Sequence, residues 1–181
     1  MTQNMTRNKR NPQTKTVVII TALLAAAVAA LALLNRDSVA AIKEAQREGT
    51  FSLRAGDQIV AVTMDDIMAL SPFDIEANYK TSGNAAETRR YQGVSLKSVV
   101  NALGVDVSGC QTASFTAADG YISALALDEA MDDGNCYIAV AMGNEPLGTK
   151  EGGGTGPYMM ILAHDPFSQR WCKFLLEVRF Q

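Results

Sequence analysis

Eighteen consecutive residues, Val17 to Leu34, are apolar with the single exception of Thr21. No other feature constrains the chain as strongly. As a helix rising about 1.5 Å per residue, the run would be about 27 Å long. That approaches the roughly 30 Å hydrocarbon core of a bilayer. Arg7, Lys9, Arg10 and Lys15 precede the run with no acid among them. The positive-inside rule then puts the N-terminus in the cytoplasm and the bulk of the chain outside. A cleaved signal peptide is the competing reading, and Ser38-Val39-Ala40 resembles a small-residue cleavage site. The apolar region of a signal peptide is normally about 7–15 residues, so the length favours an uncleaved anchor. Either alternative delivers the remainder to the same side. The sequence thus divides into a basic cytoplasmic tail (1–15), a transmembrane signal anchor (16–35), a helical stalk ending at Gly49 (36–49) and one extracytoplasmic domain (50–181). The expected location is the cell membrane, in a single pass.

Charge is unevenly placed. The first 15 residues carry +4, whereas the other 12 basic and 19 acidic residues leave −7. So acidic a surface repels nucleic acid, which excludes DNA or RNA as a partner. Cys110, Cys136 and Cys172 form no CxxC pair, and His164 is the one histidine. A structural zinc site takes four such ligands, and these are scattered, so zinc is excluded. Outside the cytoplasm one disulfide is permitted. The stronger reading makes each cysteine a small buried hydrophobe, because each lies beside apolar residues.

Within the domain, Thr50 to Val62 reads as a β-hairpin turning at Ala55-Gly56-Asp57. Thr63 opens a short helix with an acid three residues on, in capping-box fashion. Ile67, Met68 and Leu70 form its buried side and Pro72 ends it. Phe73 to Lys80 alternates as a half-buried strand, and Thr81 to Thr88 is a polar loop. A second helix opens at Ser95, buries Leu96, Val99, Val100 and Leu103, and closes at Gly104. Strands follow at 112–118 and 121–127, then a short helix capped by Asp128. Cys136 to Met142 reads as a central strand, with further strands at 158–163 and 171–180. In the last strand, period-2 alternation assigns Cys172, Phe174, Leu176, Val178 and Phe180 to the core. Helices and strands do not alternate regularly, which predicts an α+β fold.

Chemistry is sparsely signalled. A Ser-His-Asp triad would have to use His164, which reads as a surface residue in a turn. Asp65-Asp66 and Asp132-Asp133 lie at helix starts or turns, where acids favour the helix dipole. The glycine-rich stretch Gly152 to Gly156 has neither the Lys-Ser/Thr ending nor the following helix of a P-loop. It is either an anion-binding loop or a hairpin connection.

From Tyr91 onward the order of motifs resembles the molybdopterin-binding domain of the sulfite-oxidase family. The pieces are Tyr91-Gln92-Gly93-Val94-Ser95-Leu96, Ala102-Leu103-Gly104, Ala118-Asp119-Gly120-Tyr121, Leu127-Asp128-Glu129-Ala130, Ile138-Ala139-Val140-Ala141, Asn144-Glu145-Pro146-Leu147, Gly156-Pro157 and Trp171-Cys172-Lys173-Phe174. The match covers about half the chain. It implies a mixed, β-rich molybdopterin-binding fold behind the N-terminal transmembrane helix. It also implies, for an intact member, a molybdopterin-dependent oxidoreductase.

The cofactor contacts carry over incompletely. The family's molybdenum-ligating cysteine falls where this chain has Thr81-Ser82-Gly83-Asn84. A hydroxyl does not replace a soft thiolate. Tyr158-Met159-Met160 stands where the family places an anion-gripping arginine. Lys173 matches a family lysine near the cofactor's phosphate. The cleft implied is bounded by Thr81, Ser82, Gly83 and Asn84, by Asp119, Gly120 and Tyr121, by Gly154 and Gly156, and by Lys173. No catalytic residue and no metal ligand is assigned. The first reading is a non-redox module with a degenerate metal site and no cofactor, binding a small anionic ligand or an extracytoplasmic protein partner. The second is a molybdopterin oxidoreductase with an atypical ligand set, coupled to a membrane electron carrier.

Overall fold

The computed structural model describes residues 17–30, 49–80, 83 and 85–181. The chain divides into two units, Met1–Ala41 and Ile42–Gln181. In the first, residues 17–30 form helix α1 and all are exposed. Among the described residues no helix is long and apolar enough to cross a membrane. Residues 16 and 31–35 of the expected span, and 36–48 of the expected stalk, lie outside the described residues.

The second unit is built on two five-stranded sheets. It opens with the hairpin read from sequence, β1 (Phe51–Ala55) and β2 (Gln58–Val62), paired so that Gly56-Asp57 is a two-residue turn. Helix α2 (Met64–Ala69) starts at Thr63, with both halves of the capping box formed through Asp66. Ile67 is its buried anchor, whereas Met68 is 56% exposed and does not join the core as expected. Strand β3 (Phe73–Tyr79) buries Ile75 and Ala77.

β4 (Glu87–Ser95) is the largest departure from the sequence expectation, which had no strand there. The register shifts between Gln92 and Gly93 against the neighbouring strand. Such a bulge reverses the in–out alternation, so no period-2 pattern runs through the strand. Gly93 is needed at that point: a Cβ there would lie 2.3 Å from the Ile138 carbonyl oxygen.

Ser95 then caps α3 (Leu96–Ala102), and Gly104 follows it with φ +63. Strands β5 (Thr112–Ala117) and β6 (Ile122–Ala126) form a hairpin. They lead into α4 (Leu127–Ala130), where Ala126 holds the N-cap position without a side-chain capping bond and Asp128 lies inside the first turn rather than at the cap. β7 (Cys136–Met142) is the expected central strand. It pairs with β4, with the two-residue β8 (Glu145–Pro146) and with β9 (Met159–Leu162).

The last strand is shorter than predicted. β10 covers only Leu175–Phe180 and lies between β1, to which it is parallel, and β5. Phe174 has φ +54, and the pairing with β5 shifts between Leu175 and Glu177. Alternation is therefore broken twice. Leu175, Val178 and Phe180 are buried, but Phe174 and Leu176 are only half-buried, which corrects their predicted core placement. Trp171 and Cys172, from opposite sets of the predicted alternation, are both buried. Both sheets feed one apolar core. They are stitched by Met160–Cys172 backbone bonds, by a bond from Leu175 N to the Tyr158 carbonyl, and by the edge-on Tyr91–Trp171 pair at 5.6 Å.

Candidate functional site

The segment from Phe167 to Phe174 crosses from one sheet to the other. A 3₁₀ turn, Ser168–Arg170, starts it. Arg170 holds it down by bonding both carboxylate oxygens of Asp165 and both of Glu129. These carboxylates push the Arg170 guanidinium pKa further above its ordinary value. Trp171 is fixed by a bond from its Nε1 to the Leu162 carbonyl at 3.2 Å. At the far end, Phe174 donates to Thr155 and accepts from Ala118, at 3.0 and 2.9 Å. A residue other than glycine at φ +54 is strained, and these bonds hold it. Lys173 immediately precedes that reversal.

Opposite this segment stands the β5–β6 turn. Gly120 has φ +88 there, and its N–H donates to the Ala117 carbonyl. Asp119 Oδ1 accepts from the Tyr121 N–H at 3.1 Å. The Tyr121 hydroxyl reaches across and donates to the Gln169 carbonyl at 2.6 Å. The result is an open cleft of about 200 Å³ lined by Asp119, Tyr121, Gln169, Trp171 and Lys173.

Three of the residues singled out from sequence, Asp119, Tyr121 and Lys173, therefore meet in one cleft, and Gly120 forms its turn. Thr81, Ser82 and Asn84 lie outside the described residues; Gly83 is described, at φ +85. The strand leading to that loop ends close by, because the Lys80 carbonyl accepts from the Ser168 hydroxyl at 3.0 Å. Lys173 Nζ lies 5.5 Å from the centre of the Tyr79 ring, and the Arg89 guanidinium lies 3.8 Å from it. Glu87 pairs with Arg89 at 2.9 Å and raises its pKa.

Gly154 and Gly156 are placed differently. A Cβ on Gly154 would lie 2.2 Å from the Leu147 carbonyl oxygen, and one on Gly156 would lie 2.6 Å from the Leu147 side chain. The N–H groups of residues 152 to 156 donate to the carbonyls of Leu147, Gly148, Thr149 and Lys150. With its donors turned onto its own connection, this loop has the hairpin-connection character of the two readings given above.

The other acids are used locally. Asp66 closes the α2 capping box, and Asp133 accepts from Ser95 Oγ and pairs with Lys97 at 2.9 Å. His164 is exposed, and its backbone N–H donates to Asn135 Oδ1. Gln169 and Trp171 were not singled out in advance. Trp171 reads as one position in a strand, and only the strand's late start at Leu175 exposes its role as a cleft wall.

The cysteines lie elsewhere. Cys136 and Cys172 are fully buried, and burial pushes both thiols up, Cys172 to about 12. Cys110 is half-buried and lines a separate cleft with Arg54 and Arg179. Among the described residues no three His, Cys, Asp or Glu side chains are grouped to hold a metal ion.

Residues 49–181 match the family model described as "Oxidoreductase molybdopterin binding domain". Comparison with curated proteins gives no match. Among solved structures, the chain is similar to the crystal structure of the sulfane dehydrogenase SoxCD from Paracoccus pantotrophus, with TM-score 0.59 and 14% identity over 75% of this chain. It spans 38% of the length of that chain. At such identity the likeness is one of fold.

Proposed function

The chain belongs to the oxidoreductase molybdopterin binding domain family, and from that premise we propose that its domain is a non-redox binding module. It keeps the family's fold and has lost the metal site. The donor set carries this reading. A soft thiolate is what the family's molybdenum site uses, and hydroxyls are poor substitutes. The Thr81-Ser82-Gly83-Asn84 loop contains no cysteine. The thiols of Cys136 and Cys172 are buried and held protonated, and Cys110 lines a different cleft. These residues do not fit a thiolate-held metal. Met159 and Met160, where the resemblance would place an arginine, are buried in β9. Lys173 remains at the cleft. The module binds a small ligand with an anionic group there, or an extracytoplasmic protein partner.

The module is presented outside the cytoplasm on a single N-terminal anchor over residues 16–35. Support comes from the apolar run Val17–Leu34 and the four basic residues before it.

Metal analysis of the full chain purified from its native host tests the main reading. Molybdenum well below one atom per chain is expected. One atom per chain would overturn the reading and make the protein an oxidoreductase with an atypical ligand set. Reporters active on only one side of the membrane, fused after Gln181, test the anchor. Activity of a cytoplasmic reporter would sink the topology.

A further inference from the structure

The candidate cleft contains one cation and one carboxylate that do not satisfy each other. Lys173 and Asp119 both line it. Neither forms an ion pair within 4.0 Å among the described residues. Lys97–Asp133 at 2.9 Å and Arg54–Glu177 at 3.2 Å, by contrast, are joined pairs. The same cleft is lined by Trp171, Tyr121 and Gln169, whose side chain makes no hydrogen bond among the described residues, and Lys173 Nζ otherwise lies 5.5 Å from the centre of the Tyr79 ring. The turn and the crossing segment are tied at both ends of the cleft, by Tyr121–Gln169 and by Ala118–Phe174. Asp119 and Lys173 thus sit on two pieces of backbone that these bonds join. The strained φ of Phe174 fixes the chain direction next to Lys173.

We infer that the cleft binds a small zwitterion, of the size and charge pattern of an α-amino acid, with Lys173 taking the carboxylate and Asp119 the ammonium. The inference rests on the ligand-binding reading above and narrows it. A simple anion at Lys173 would face Asp119 across the same cleft, inside a domain carrying −7. Like-charge repulsion disfavours that arrangement. A zwitterion turns both charges to use through charge-assisted hydrogen bonds. An ammonium group also gains from nearby aromatic faces. At about 200 Å³ the cleft is smaller than the roughly 300–1,000 Å³ of sites for drug-sized ligands, which sets the size class.

The test is calorimetric titration of the full chain, in detergent micelles, with three probes: L-phenylalanine, 3-phenylpropionate, which lacks the ammonium, and 2-phenylethylamine, which lacks the carboxylate. L-Phenylalanine should bind at least about tenfold more tightly than either single-charge probe, since each charged hydrogen bond contributes on that scale. Asp119→Asn should reduce its affinity to that of 3-phenylpropionate, and Lys173→Gln to that of 2-phenylethylamine. Asparagine keeps the acceptor oxygen used by the Tyr121 N–H, so the Asp119→Asn turn should hold, and an unchanged melting temperature would verify it. Equal binding of 3-phenylpropionate and L-phenylalanine, or indifference to Asp119→Asn, would overturn the zwitterion assignment and leave an anion site. Failure of all three probes to bind would also overturn it. Neither outcome bears on molybdenum content, which judges the non-redox reading separately.

Discussion

The Tyr121 hydroxyl donates to the Gln169 carbonyl at 2.6 Å and so fastens the β5–β6 turn to the segment that crosses between the sheets. These residues are 48 apart in sequence, yet this one bond closes an end of the cleft. Tyr121 is 40% exposed, so its value to stability lies at the lower end of the usual range of about 0.5–1.5 kcal/mol. Tyr121→Phe should therefore lower stability by about 0.5 kcal/mol in urea unfolding and loosen the cleft. Amide exchange at Gln169, Arg170 and Trp171 should accelerate in the variant. Unchanged exchange there would show that the segment is held without Tyr121.

The final strand gives a sharper stability prediction. Leu175 is 1% exposed beside Ala117 of β5, whereas Leu176 is half-buried. Leu175→Ala should cost about 2–5 kcal/mol, as truncations at filled core sites do. Leu176→Ala should cost less than about half of that, because less apolar surface leaves water there. Chemical denaturation of the two variants decides it. The reverse order would put the register shift of β10 in the wrong place.

The same strand shows what the sequence could and could not reveal. The β1–β2 hairpin, the Thr63 and Ser95 caps and the central β7 are local features, and Gly56-Asp57, the capping residues and the apolar run of 136–142 announced them. The faces of β10 were misassigned because a register shift and a positive φ at Phe174 are set by distant partners, Ala118 and Thr155. β4 was missed for a related reason, since its bulge at Gly93 answers to the close approach of Ile138. At the cleft, the motif order pointed to Asp119, Tyr121 and Lys173. Gln169 and Trp171 join them only through the Arg170 clip and the Tyr121 bond, which pair residues far apart in the chain.

Acid stability should report on the α2 cap. Asp66 accepts from the Thr63 hydroxyl at 2.6 Å and from the Thr63 N–H at 2.8 Å, which hold its carboxyl below the ordinary value of 3.8. A depressed folded-state pKa stabilises in full above the unfolded pKa and is lost as pH falls through the folded one. Asp66→Asn should therefore destabilise the domain at pH 7, and the difference from wild type should shrink progressively as pH falls below the ordinary value of 3.8. Urea midpoints across that range provide the measurement. A difference constant with pH would mean that the capping carboxylate contributes nothing as an anion.

Thiol labelling tests the donor set on which the non-redox reading depends. The thiolate is the reactive form of cysteine, and burial raises the pKa of Cys136 and Cys172, the latter to about 12. Glu129 and Asp132 add to the effect at Cys136, and Asp119 adds to it at Cys172. Cys110 is only half-buried, beside Arg54 and Arg179. Iodoacetamide at about pH 8, below the thiolate range of a buried cysteine, should therefore modify Cys110 alone in the folded chain. All three cysteines should react once the protein is unfolded in guanidinium. Peptide mass spectrometry distinguishes the sites. Rapid modification of Cys172 in the native protein would mean that a thiolate is available one residue from Lys173, and the case against a sulfur-ligated metal at the cleft would fall with it.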